Sequence, residues 1–353
     1  VTEKTLNKKI LLSVKRLEVA RERAWDNYVK QSDSATFFHL IGWKRVLEKT
    51  FGYRAYYIYA EESGNIRGIL PLFVMKNLHL KTIICSVPFG VYGGVCADND
   101  SISEALLEEA KKITRNEGAE YMELKNVKRV NNGLQRKDLY STFVNELPQH
   151  KDDCLKHYPR KARAACRKAI NSGLEIETGV HLLKECYDLF AISLRNLGSP
   201  TVPLSLFINI AKEFEENVTV LSVKHNKRTI SSVLTFFFKD IAIPYYSGSL
   251  PGYLQYQPNN FMYLKLMEYA VEKGYRYFDF GRSKKDTGSY KFKELQGFKP
   301  TPLHYEYYLN RTDIMPNISP VNPKYRFAIE AWKRMPVGLT KIIGPTIVKY
   351  IGG

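Results

Sequence analysis

Two stretches of this 353-residue chain repeat one pattern, and that repeat narrows the folds open to it. A helical periodicity over residues 103–116 runs into Glu117-Gly-Ala-Glu-Tyr-Met-Glu-Leu124, and another over residues 260–272 runs into Lys273-Gly-Tyr-Arg-Tyr-Phe-Asp-Phe280. Gly118, Tyr121 and Glu123 thereby fall opposite Gly274, Tyr277 and Asp279. In each copy a glycine just past the last helical turn supplies the left-handed residue that ends the helix, and a strand with an inward-pointing acid follows. Upstream of each lies a hairpin pattern: residues 56–60 and 67–75 around Glu62-Ser-Gly-Asn65, and residues 218–224 and 229–238 around His225-Asn226. Their β-branched and aromatic residues, broken by polar turns, mark strands. Hairpin, helix and strand, twice over, predict a tandem α/β repeat, although helix–glycine–strand also recurs by chance in unrelated α/β chains.

The length suits two domains, and 44% hydrophobic residues supply ample core. The seam is expected near residues 147–153, giving a first domain over 1–150, a second over 151–310, and a tail over 311–353. That tail is Pro-rich at first (Pro316, Pro320, Pro323), then apolar and basic. Five cysteines (Cys85, Cys96, Cys154, Cys166, Cys186) form neither a paired framework nor a CxxC, so a reducing, cytoplasmic setting is expected. Residues 1–12 carry lysines but no apolar segment with a cleavage site, and no run of about eighteen uncharged apolar residues occurs. The expectation is a soluble protein, at most peripheral at the inner membrane face. A net charge of +17 favours polyanionic partners: tRNA, an anionic membrane face or a diphosphate substrate.

Charge is densest after Pro159. On a 3.6-residue period Lys156, Arg160, Arg163 and Arg167 share one face of a helix expected to stop at Asn171-Ser-Gly173. Lys161 and Lys168 flank that face, and Ala162, Ala165, Cys166, Ala169 and Ile170 form the packing stripe. Aligned like charges repel by roughly a few tenths of a kcal/mol per pair, so the face either meets a phosphate backbone or stays solvated. Further on, Tyr245-Tyr-Ser-Gly-Ser249 ends a strand, a Gly/Pro loop follows, and Asn259 or Asn260 in Pro258-Asn-Asn260 is placed to cap the next helix. Such an N-terminus favours a phosphate or a developing oxyanion. Phe280-Gly-Arg-Ser283 ends another strand, and Asp286-Thr-Gly-Ser289 turns the chain back. Strand alternation would then put Tyr290 and Phe292 on one face and Lys291 and Lys293 on the other. Arg282 and Asp279 either anchor this loop for a ligand or form a structural pair. The chain has no GxSxG and no Walker A, the seven histidines show no zinc-ligand spacing, and Cys154 and His157 lack a third orienting partner.

In order and type these motifs resemble the FemAB/FemX family, whose members move an amino acid from aminoacyl-tRNA onto the peptide stem of a peptidoglycan precursor. The resemblance runs over about residues 35–310. It is carried by Tyr277-Phe-Asp-Phe-Gly-Arg-Ser283, Gly288-Ser-Tyr-Lys-Phe-Lys293, Tyr245-Tyr-Ser-Gly-Ser249, Pro258-Asn-Asn260, and Pro159-Arg-Lys-Ala-Arg-Ala-Ala-Cys-Arg-Lys-Ala169 with Gly173-Leu174. Residues 187–214 and the tail look closer to a FemAB-related branch found with exopolysaccharide and exosortase systems. The resemblance implies an α/β (α+β) fold of two tandem GNAT-like acyltransferase domains with mixed, mostly antiparallel sheets flanked by helices. It also implies a tail packed on the first domain, no cofactor, and direct acyl transfer without a covalent enzyme intermediate.

By the same resemblance Phe292 and Lys293 would lie against the aminoacyl ester, with Lys293 stabilising charge on the tetrahedral intermediate and Asp279 a candidate base. Tyr92 in Pro88-Phe-Gly-Val-Tyr-Gly-Gly-Val-Cys-Ala-Asp98, Lys44 or Lys49 after Trp43, Arg195, Arg282, Tyr246 and Tyr290 would meet the acceptor. Asn259, Asn260, Arg160, Arg163 and Arg167 would meet the donor. The chain departs from the family where Gly93 or Val95 replaces a proline and Phe207 replaces a tyrosine. It also lacks the Q/R-x-x-G-x-G/A loop of acyl-CoA GNAT enzymes, which is compatible with an aminoacyl-tRNA donor. Two alternatives stand beside this reading: an acyl-CoA or acyl-carrier N-acyltransferase acting on a sugar amine or amino acid, and a non-catalytic basic binding module. The acceptor would be a nucleotide-linked or lipid-linked precursor, and the tail a packed element or a membrane-surface helix.

Overall fold

Both predicted hairpins close on two-residue left-handed turns, Ser63-Gly64 and Asn226-Lys227, whose twist matches that of the strands they join. A computed structural model describes residues 12–130, 133–316 and 326–352, so the N-terminal lysines, Pro320 and Pro323 lie outside the described residues. The chain starts with β1 (Ser13–Arg16), α1 (Glu22–Gln31), α2 (Ile41–Phe51) and the hairpin of β2 (Arg54–Glu62) and β3 (Asn65–Lys76). It continues through β4 (Thr82–Cys85), β5 (Cys96–Ala97), α3 (Asp100–Asn116), β6 (Tyr121–Asn126), β7 (Gln135–Lys137) and β8 (Tyr140–Glu146). Next come α4 (Cys154–His157), α5 (Arg160–Ile170), β9 (Glu175–Thr178), α6 (Leu183–Leu197), α7 (Leu204–Phe214) and the second hairpin, β10 (Val218–His225) with β11 (Arg228–Phe238). The remainder is β12 (Ile241–Ser249), α8 (Pro258–Glu272), β13 (Tyr277–Asp279), β14 (Ser283–Lys284), α9 (Gly288–Leu295), β15 (Pro300–Pro302), β16 (His304–Leu309), α10 (Arg326–Arg334) and α11 (Val337–Val348).

Two mixed sheets result. One runs β1-β2-β3-β4-β6-β16-β7 with β5 on β3, and the other β14-β8-β13-β12-β11-β10-β9 with β15 on β8. Among the described residues the parallel pairs are β4–β6 and β12–β13, the same place in each repeat. The tandem α/β reading therefore holds. An expected boundary at residue 150 assigns β8 to the first sheet and β16 to the second, and the observed pairing exchanges them. β8 pairs with β13 (Tyr277↔Glu146, Asp279↔Val144), and β16 with β6 (His304↔Asn126 through Leu309↔Tyr121). Partners this distant in sequence leave no local pattern to read.

The two halves share a core. Phe37 stacks on Phe236 with ring centroids 4.5 Å apart, and Phe38, Trp43 and Tyr245 close around them. Trp43 is wholly buried, a core residue rather than a ligand platform. α6 lies directly on β12: a Cβ at Gly248 would sit 2.3 Å from the Leu189 carbonyl carbon.

The tail was expected on the first half; most of it packs on α6 instead. Thr340, Gly344 and Val348 form a small buried stripe along α11, and a Cβ at Gly344 would meet the Thr201 backbone nitrogen at 2.8 Å. Lys341 pairs with Asp188 at 2.7 Å, and Arg195 donates to the Lys333 carbonyl at 3.1 Å. Both ends of the tail reach the first half: the Arg311 N–H donates to the Glu120 carbonyl at 3.0 Å and Lys137 to that of Pro316, while Tyr53 donates to the Lys349 carbonyl and the Phe89 N–H to that of Gly352.

Candidate functional site

β12 and β13 stay in register at Ile241↔Tyr277 and Ala242↔Phe278, then part. β13 ends at Asp279 while β12 runs on to Ser249, so residues 243–249 have no strand partner on that side among the described residues. A bulge at Tyr245, between the pairs Leu234↔Tyr246 and Thr235↔Pro244, bends β12 at the mouth of the gap.

α8 borders this gap. It begins at Pro258, whose missing N–H costs nothing at a first helical position, after Gln257 in the left-handed region (φ 57°). Asn259 and Asn260 therefore stand inside the first turn and do not cap it, contrary to expectation. Asn259 Oδ1 accepts from Ser231 at 3.1 Å and from Ser249, while the Asn260 carbonyl accepts from Cys166 at 3.6 Å. By helix geometry the N–H groups of Asn259 and Asn260 have no intrahelical acceptor and stay available to an anion. One turn on, Tyr263 OH meets Ser247 Oγ at 3.3 Å, and its ring stands edge-on to Phe280 (4.7 Å) and near Phe292 (5.8 Å). Burial raises the Tyr263 phenol pKa, which keeps the proton on it. Ser247, Tyr263 and Phe280 are not among the residues expected at the site from sequence, although Ser247 lies within the Tyr245-Tyr-Ser-Gly-Ser249 motif.

Residues 288–295 are helical, not a strand. Thr287 Oγ1 accepts from the Tyr290 N–H at 3.4 Å and starts α9. Phe292 is half-buried at the gap, and Tyr290 packs edge-on to Phe143 at 5.0 Å. Lys293 is buried, with Nζ donating to the carbonyls of Phe280 (2.7 Å), Gly281 (2.9 Å) and Arg282 (3.1 Å). Burial pushes its pKa down to about 7, opposed by the charge of Asp279. Three carbonyls match the three N–H groups of an ammonium, and a neutral amine has only two. All the donors of Lys293 are thus engaged with the backbone, and none faces a ligand.

Asp279, Tyr92 and Arg282 form a buried clamp between the halves. Asp279 Oδ1 accepts from the Gly281 N–H (2.7 Å), Tyr92 OH (3.0 Å) and Thr142 Oγ1 (3.2 Å), and burial raises its pKa. Arg282 donates to Tyr305 OH at 3.2 Å and lies 4.5 Å over the Tyr140 ring; Tyr305 OH in turn donates to the Val91 carbonyl at 2.7 Å. Tyr92, expected at the acceptor, is 4% exposed and belongs to this clamp. Tyr246 is buried among Phe190, Phe207 and Phe236, so it packs the core and does not face a substrate. Arg195 holds the tail, and Lys44 is paired with Glu22 (3.7 Å) and Glu48 (3.3 Å). Both side chains are thus engaged within the protein.

α5 lies against α8 through Ala162, Cys166 and Ala169. Arg163 is tied to the Tyr158 carbonyl at 2.9 Å and the Lys156 carbonyl at 3.1 Å, Lys156 pairs with Asp153 at 2.7 Å, and Ile170 is exposed. The expected cationic face is therefore narrower than the helical wheel implied. Arg160, Lys161, Arg167 and Lys168 stand exposed, with no acidic partner among the described residues. A separate polar hollow of about 680 Å³, lined by Arg21, Asn27, Tyr28, Arg67 and Asp98 among others, shares no residue with this site.

Residues 156–294, which span α5, α8, α9 and the gap, match the acetyltransferase (GNAT) domain family. No curated protein sequence matches the chain. Among solved structures, FemX superposes with a TM-score of 0.67 at 18% identity, covering 89% of this chain and 100% of FemX. The C-terminal domain of a putative lysylphosphatidylglycerol synthetase from Agrobacterium fabrum gives 0.55 at 11% identity, covering 82% and 92%. A tandem GNAT protein from the clavulanic acid biosynthesis pathway gives 0.55 at 11%, covering 86% and 100%. At such identities the likeness is one of fold, and the fold is the tandem GNAT arrangement.

Proposed function

We propose that this tandem GNAT-fold acyltransferase transfers an aminoacyl group to an amine of a cell-envelope precursor, in the gap where β12 and β13 part. The observation that carries this reading is the meeting of three features: the stretch of β12 that has parted from β13, the α8 N-terminus, and, packed on it through Cys166, the helix α5 with its exposed cationic face. An aminoacyl ester is already activated, so the protein needs to orient it and to stabilise negative charge. The acceptor amine attacks the ester carbonyl carbon, the C–N bond forms, and the C–O bond to the ribose breaks. The proton lost by the amine ends on the ribose oxygen. Ser247 and Tyr263 are the hydroxyl pair placed to relay it, and the N–H groups of the α8 N-terminus are the donors for the developing oxyanion. Asp279 and Lys293 act as positioning residues that hold the Phe280–Arg282 strand end against Tyr92, while Phe292 walls the gap.

The phosphate backbone of a charged tRNA suits Arg160, Lys161, Arg167 and Lys168. The cell-envelope acceptor rests on the fold shared with FemX and with the lysylphosphatidylglycerol synthetase domain. A second reading, an acyl-CoA-dependent N-acyltransferase, is favoured by the GNAT family match over the α8 N-terminus, a ready site for a pyrophosphate. Thermal-shift titration with charged and deacylated tRNA, a UDP-linked muropeptide and coenzyme A, each at low and high salt, separates them. Stabilisation by charged tRNA that weakens with salt, together with stabilisation by the muropeptide, supports the first reading. A salt-insensitive shift with coenzyme A alone overturns it in favour of the second.

A further inference from the structure

The tail presents a face that its packing on α6 does not use. Ile329 abuts Gly198, the Lys333 carbonyl accepts from Arg195, and Lys341 pairs with Asp188. As α6 runs from residue 188 to 198 the tail runs from 341 back to 329, so α10 lies antiparallel along α6, and α11 starts beside Asp188 and packs Gly344 on Thr201. Trp332, Thr340, Gly344 and Val348 are buried. Half a turn away from that stripe stand Phe327, 81% exposed, and Ile342, 72% exposed, with Leu339, 43% exposed, on the flank. Large apolar side chains at such exposure on the outward side of two consecutive helices are unsuited to bulk water.

The charges on the same stretch are one-sided. Between residues 326 and 352 there are five cations and one acid, Glu330, which pairs with Lys333 at 2.8 Å. Lys341 is taken by Asp188 and Arg334 shares the field of Glu330, which leaves Arg326 and Lys349 with no acidic partner among the described residues. Arg326 lies over the Phe327 ring at 5.7 Å, so a cation sits beside the most exposed apolar group. No helix of the described residues is long and apolar enough to cross a membrane. Apolar side chains at the height of unpaired cations, on helices held flat against a folded body, are what a headgroup–acyl boundary of anionic lipid accepts.

We propose that the outward face of α10 and α11 is a docking surface for an anionic lipid bilayer, with Phe327, Leu339 and Ile342 entering the boundary and Arg326, Arg334 and Lys349 meeting the headgroups. Either set alone binds weakly, and the two act together, so the attachment is reversible and composition-dependent. This inference is independent of the donor and acceptor proposed above, since it uses no residue of the gap or of α5.

The test is sedimentation of the full chain with vesicles of phosphatidylcholine alone and of phosphatidylcholine mixed with phosphatidylglycerol, at low and high salt. Three chains are compared: the natural one, Phe327→Ser with Ile342→Ser, and Arg160→Ser with Arg167→Ser. Both altered pairs are exposed and leave the cores intact, which an unchanged thermal midpoint verifies. The expected result is binding to the phosphatidylglycerol vesicles that falls about tenfold or more in the Phe327/Ile342 variant and is little changed in the Arg160/Arg167 variant. The proposal is overturned if the natural chain stays in the supernatant, or if the Phe327/Ile342 variant binds as the natural chain does. It is equally overturned if the chain is a dimer in solution that this variant dissociates, since a second copy then covers the face.

Discussion

Replacing Lys293 by methionine keeps the volume and removes the ammonium that holds three backbone carbonyls. Charge-assisted hydrogen bonds contribute roughly 1.5–3 kcal/mol each, about 4.5–9 kcal/mol for the three. Against them stands burial of the ammonium, which lowers its pKa from 10.5 to about 7, on the order of 5 kcal/mol at about 1.4 per unit. The difference leaves Lys293→Met roughly 2 kcal/mol less stable near neutral pH. Its sign with pH follows from proton counting. The native lysine releases its proton near 7 and the unfolded one near 10.5, so between those values the unfolded chain binds more protons and the natural protein gains stability as pH rises. Lys293→Met has nothing to titrate there, so its deficit widens with pH. Urea unfolding of both proteins at about pH 7 and about pH 9 reads this directly. A variant as stable as the natural protein, or a deficit that shrinks with rising pH, would refute the assignment of Lys293 as the buried clasp of the Phe280–Arg282 strand end.

Gly248→Ala drives a Cβ into the Leu189 backbone at 2.3 Å, and because backbone cannot rotate aside it should cost about 3 kcal/mol or more; a loss under about 1 kcal/mol in urea unfolding contradicts the packing of α6 on β12. Asp279 has a pKa raised by burial, so it holds its proton above the unfolded value of 3.8, and the natural protein should lose stability relative to Asp279→Asn as pH climbs from that value. An opposite slope would mean that its hydrogen bonds outweigh its burial. Arg160→Ser with Arg167→Ser should weaken charged-tRNA binding and reduce its salt slope by about 2 without moving the thermal midpoint; an unchanged slope places the tRNA elsewhere.

Local signals carried most of the fold. The glycines Gly118 and Gly274 do adopt the left-handed conformation at the ends of α3 and α8, and both hairpins and both following strands stand where the residue pattern put them. Exchange of β8 and β16 between the sheets was hidden because it depends on pairing across more than a hundred residues. α9 was misread because Tyr290, Lys291, Phe292 and Lys293 alternate like a strand, while the cap that overrides alternation is a single hydroxyl, Thr287. The candidate site was legible as a region and less so as residues. Phe292 and the α5 arginines stand where a ligand could meet them, whereas Tyr92, Tyr246, Arg195 and Lys44 were placed by sequence order alone. Burial and partners such as Thr142, Lys333 and Glu22, invisible in the order, decide their roles. Tyr263 was missed because an aromatic residue on a buried helix gives no sign of the serine it meets on the next strand.

Transfer of an aminoacyl group from tRNA to an amine in the proposed β12–β13 gap turns an ester into an amide. Incubating the protein with tRNA charged with a labelled amino acid and a UDP-linked muropeptide, and following the label into an amide stable to mild base, detects that change. Labelled amide is expected from the natural protein, with a large loss of rate in Tyr263→Phe with Ser247→Ala, folding intact. Label that stays on tRNA with every envelope amine offered, alongside turnover with an acyl-CoA, would contradict it.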